Sequence, residues 1–73
     1  MNKNLTKALE VLAKYGLSAY GFAETIAEGN VRAEIALLSA AKTHLSISTN
    51  IPNSEKIEIA NDLYSAAKEY KNY

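Results

Sequence analysis

NVRAEIALLSAAKTHL, residues 30–45, decides the fold class. Val31, Ile35, Leu38, Ala41 and Leu45 recur at spacings of three and four, so they share one face of an α-helix for four turns, with Leu37 on its flank. Asn30 stands where a side-chain oxygen can accept the first free backbone N–H groups. The spacing therefore predicts a central helix over about 31–48.

Downstream, Ser46-Ile-Ser-Thr-Asn-Ile-Pro52 mixes β-branched and capping residues with a proline, whose ring disfavours helix at the residue before it. The helix is expected to fray into a loop there. Asn53 or Ser54 can cap a last helix over about 54–70, in which Ala60, Leu63, Ala67 and Tyr70 make the apolar stripe beside Ile59 and Ala66. Upstream, Gly29-Asn30 ends a helix over about 18–28, capped by Ser18, with a stripe of Ala19, Phe22, Ala23, Ile26 and Ala27. Gly21 weakens that segment by up to about 1 kcal/mol relative to alanine, so it needs packing to form. A first helix over about 5–15 places Leu5, Ala8, Leu9 and Leu12 on one side and Lys7, Glu10 and Lys14 on the other, with Asn4 as its cap and Gly16 as its stop. The expectation is an all-α fold: one domain spanning 1–73, a compact bundle of four short helices over about 5–15, 18–28, 31–48 and 54–70.

With 73 residues the core is thin, and a single core of this size rarely supplies more than about 3–5 kcal/mol. The chain has no cysteine, which removes disulfides, thiolate metal sites and a thiol nucleophile together. Self-association is the remaining way to add stability, so a homo-oligomer is expected. Twelve alanines let helix axes approach closely while contributing little buried area each.

Lys and Arg together number 8 and so do Asp and Glu, leaving a formal net charge of zero and no field to attract nucleic acid or anionic lipid. Lys3 is not followed by an apolar block, so no signal peptide is expected, nor a membrane span, and the expected compartment is the cytoplasm. The stretch from Glu10 to Phe22 has the outline of a helix-turn-helix. Its second helix, however, carries Tyr20, Glu24 and Glu28 and no lysine or arginine, and would meet phosphates with the wrong charge.

Histidine is the one side-chain type that titrates near neutrality, and His44 is the only one here. Ser48 lies four residues on, so a Ser–His pair is geometrically possible, yet no strained turn of the Gly-x-Ser-x-Gly kind accompanies it. No enzyme, metal site or cofactor is expected. Arg32, Lys42, Thr43 and His44 are instead candidate hydrogen-bond donors to a nucleotide or other anion, with the site formed between subunits. Glu55, Glu58 and Asp62 line the start of the last helix, where Glu55 and Glu58 complement the positive end of the helix dipole. Glu24 and Glu28, like charges one turn apart, point mildly to a cationic partner. Tyr20, Phe22, Tyr64 and Tyr70 are the candidate partner contacts, because aromatic rings bring area at low entropic cost. Tyr15 and Tyr73 also lie near helix ends or surfaces, and Tyr20, beside Gly21 and Phe22, is the preferred contact.

The size, the helix order and the stretch from Leu37 to Tyr70 resemble the helical immunity proteins that protect producers of small bacteriocins, over less than half of the chain. The balanced charge and the Asn, Lys and Ile usage resemble phage-encoded accessory proteins, which act by binding a host or defence component. Both resemblances imply a non-enzymatic protein that binds a protein partner and inhibits or regulates it. Neither carries functional residues across.

Overall fold

The computed structural model describes residues 1–16 and 19–71, and its four helices are α1 (Lys3–Lys14), α2 (Ala19–Ala27), α3 (Val31–Ile47) and α4 (Asn53–Tyr70). The fold is an all-α bundle. α1 and α3 each pack against both α2 and α4, and also meet across the centre. Leu5, Leu9, Leu12, Ile59 and Leu63 are fully buried and form the middle of the core, so α1 and α4 supply its largest side chains.

α1 starts earlier than expected. Asn2, not Asn4, is the cap: its side-chain oxygen accepts from the backbone N–H groups of Asn4 at 2.8 Å and Leu5 at 3.1 Å, leaving Asn4 inside the helix. An asparagine that satisfies two free N–H groups wins over one that would leave the first turn unmade. Gly16 follows the helix with φ +101°, a left-handed conformation that costs a side-chain-bearing residue roughly 1–2 kcal/mol. The Asn50 side chain donates to the Tyr15 carbonyl at 3.1 Å and covers this helix end.

α2 is one residue shorter at each end than 18–28, and the cap expected at Ser18 lies outside the described residues. Its inward face differs from the expected stripe: Tyr20 and Ala27 are buried, whereas Phe22 is 73% exposed and Ile26 67%. Apolar residues occupy too wide an arc of this helix for one contact to cover. The orientation adopted lets the Tyr20 hydroxyl reach His44 and leaves the opposite edge outside. Gly29 then turns the chain at φ +86°.

α3 begins on Asn30, which accepts from the Ala33 N–H at 3.1 Å, as its sequence position predicts. Glu34, Leu37, Leu38 and Ala41 are buried, Leu45 is half-buried, and Ile35 lies at the outer edge. In the following loop Ile51 is buried and pins the chain to the core. α4 has Pro52 at its cap position without a side-chain cap, so neither Asn53 nor Ser54 plays the expected role. Its buried stripe is Ile59, Leu63, Ala66 and Tyr70, with Ala67 half-buried and Ala60 exposed. The stripe is turned from the expected one because α4 packs on α1 as well as α3, which draws Ile59 and Ala66 inward.

Candidate functional site

The four candidate anion donors all lie on α3 and do not converge. Successive residues of a helix point about 100° apart, and Arg32 is ten residues, about 15 Å, from Lys42 along the axis. The Thr43 hydroxyl donates to the Ser39 carbonyl at 3.2 Å. His44 hydrogen-bonds through Nδ1 with the Tyr20 hydroxyl, the two rings meeting edge to face at 5.5 Å. The Ser48 hydroxyl donates to the His44 backbone carbonyl at 2.6 Å, so no Ser–His pair forms between the side chains. Lys42 lines a concave surface, a cleft of about 270 Å³ between α3 and α4 floored by Leu45, Ala60 and Leu63 and walled by Tyr64. Lys68 places its ammonium 5.0 Å from the Tyr64 ring centre.

The acids of α4 turn toward α1. Lys7 Nζ lies 3.3 Å from Glu58 and 3.9 Å from Asp62, and Glu55 accepts a hydrogen bond from the Tyr15 hydroxyl. That hydrogen bond, with desolvation and the carboxylate charge behind it, raises the Tyr15 pKa above 10.0. Among the described residues no group of three or more His, Cys, Asp or Glu side chains is arranged to hold a metal ion.

A buried carboxylate that the sequence did not single out sits at the other end of the bundle. Glu34 is 6% exposed, accepts from the Tyr70 hydroxyl at 2.7 Å and from the Gly29 N–H at 3.1 Å, and borders a cavity of about 400 Å³ beside Asn2 and Glu69. It ties the α2–α3 turn to the last turn of α4. The signal was present: position 34 falls on the apolar face of α3 between Val31 and Leu38, where a charge needs partners.

Of the candidate partner contacts, Phe22 and Tyr64 are exposed, Glu28 is exposed and Glu24 half-buried. Tyr20 and Tyr70 are not available as surface rings, because each has its ring in the core and its hydroxyl spent on a neighbour, His44 and Glu34 respectively. Burial pushes the Tyr20 phenol above its ordinary value of 10.0. Tyr73 lies outside the described residues.

Phe22 belongs to a larger feature. Between α2 and α3 runs an apolar groove of about 380 Å³, floored by Ala33, Ala36, Leu37 and Ala40 and walled by Ala23 and Ile26. Phe22 is one turn before Ile26 on the same ridge of α2, and Ile47, 68% exposed, is two turns beyond Ala40 on the same row of α3. Full burial of side chains this large stabilises by about 1.5–3 kcal/mol each, which the single chain leaves unrealised at these positions. Large apolar side chains left exposed beside an apolar groove make a surface that a partner can cover. The helical spacing did not single out Ala33, Ala36 or Ala40, because a groove is marked by small side chains receding between two helices and not by an apolar stripe along one.

No family model matches this chain, and neither a curated protein nor a solved structure matches it. Among the described residues no helix is long and apolar enough to cross a membrane.

Proposed function

We propose that this chain is a non-enzymatic interaction protein that binds a protein partner and inhibits or regulates it, in the manner of phage or mobile-element accessory proteins, and that it self-associates. The observation that carries the reading is the α2–α3 face, where Phe22 and Ile26 stand exposed beside an uncharged, alanine-floored groove. Several side chains that catalysis would recruit are committed elsewhere: His44 to Tyr20, Ser48 to a backbone carbonyl, Glu55 to the Tyr15 hydroxyl and Glu58 to Lys7. The test is affinity capture from lysate of the source cells by immobilised wild-type chain and by Phe22→Glu, each eluate identified by mass spectrometry. A protein other than this chain itself, held by the wild type and lost with Phe22→Glu, supports the reading; identical eluates refute the assignment to this face.

A nucleotide or other anion is the second reading, favoured by the α3–α4 cleft, which Lys42 and Tyr64 both line while Lys68 holds its ammonium over the Tyr64 ring. A ligand bound only by the folded chain raises its unfolding temperature by mass action. No rise across a nucleotide panel removes this reading.

A further inference from the structure

We propose that a second copy of this chain covers the α2–α3 face about a two-fold axis, with Phe22 and Ile26 of each copy seated in the alanine-floored groove of the other. The inference rests on reading this face as a contact surface, and it names the occupant.

Three observations select a second copy. The first is shape. A two-fold interface must be self-complementary, each copy supplying both the protruding and the receiving surface. Here ridge and groove lie side by side on one face: Phe22 and Ile26 project, while Ala33, Ala36 and Ala40 recede and let a facing helix approach closely. A rotation of half a turn brings each ridge over the other copy's groove.

The second is charge. No lining residue of the groove is ionisable, and the chain as a whole sums to zero, so two copies approach without net repulsion. The exposed side chains next outward on these helices, Thr25, Arg32 and Thr43, would form the polar rim usual around an apolar contact.

The third is area. A standard dimer removes about 800 Å² from each partner, roughly a sixth of the 4697 Å² this chain exposes. A four-helix bundle has four sides and two ends, so one two-helix side supplies an area of that order.

The test is solution mass of the purified chain by light scattering, without any added partner, for wild type, Phe22→Glu and Ala36→Glu. Both substituted positions are exposed in the single chain, so helical circular dichroism should be retained. The expected result is a wild-type particle of twice the 8.0 kDa chain mass and variants at 8.0 kDa. A wild-type monomer at every concentration, a larger ring, or a dimer that survives both substitutions overturns the proposal. Because the chain has no cysteine, a mixture of Ile26→Cys and Ala36→Cys chains provides an independent readout. A mixed disulfide exceeding that of an Ile57→Cys and Ala36→Cys control supports the two-fold arrangement, and an equal yield contradicts it. A monomer here would remove self-association from the reading above and leave the binding of a different protein to the capture experiment, so dimer formation and partner binding fail separately.

Discussion

The Tyr70 hydroxyl donates to the Glu34 carboxylate at 2.7 Å, joining two residues 36 positions apart at a buried point. The second Glu34 oxygen accepts from the Gly29 backbone, so one carboxylate holds the turn between α2 and α3 and the end of α4 together. A buried charge is tolerated only where donors replace water, and these two do so.

Tyr70→Phe keeps the ring and deletes the donor. Hydrogen bonds to charged groups contribute about 1.5–3 kcal/mol, so urea unfolding should show a loss in that range, a large part of what a core this small supplies. A loss near zero would mean that water or another donor replaces the phenol.

Tyr20 links stability to alkaline pH. Its native pKa lies above 10.0 because burial disfavours the phenolate, so the native state holds the proton more tightly than the unfolded chain. The stabilisation is complete below the unfolded value and is lost as pH rises through the native one. Thermal unfolding measured upward from pH 10 should fall more steeply for wild type than for Tyr20→Phe; parallel curves would show that Tyr20 ionises alike in both states.

Gly21 lies inside α2 with an exposed position, no positive φ, and no atom within 4 Å of where a Cβ would stand. Gly21→Ala should therefore stabilise the chain by about 0.5–1 kcal/mol, read as a raised urea midpoint. The same change at Gly16 or Gly29 should destabilise, since both hold positive φ.

Leu12 is fully buried, and Leu12→Ala should cost about 2–5 kcal/mol, enough to abolish cooperative unfolding in a core of this size. Ile57, 63% exposed on α4, should tolerate alanine with little change. Equal losses at the two sites would contradict the burial pattern.

The sites were less legible in the sequence than the fold. Phe22 and Tyr64 are exposed as their candidate role requires, but Tyr20 and Tyr70 carry their hydroxyls into the interior, where His44 and Glu34 meet them. Tyrosine joins an apolar ring to a polar tip, so its spacing along a helix does not distinguish a surface ring from a core ring with a partner.

Four helices, their order and their breaks at Gly16 and Gly29 could be read directly, because helix growth and termination depend on residues three and four apart. The Asn30 cap is local in the same sense. The inward face of α1 is local too, Leu5, Ala8, Leu9 and Leu12 being buried as their spacing predicts, whereas the inward faces of α2 and α4 were settled only by the tertiary structure. α2 and α4 carry apolar arcs wider than one contact, and the edge that is buried depends on where α1 and α3 stand. The partners of Glu34, the Tyr20–His44 pair and the open α2–α3 groove all follow from that placement, which no spacing along a single helix encodes.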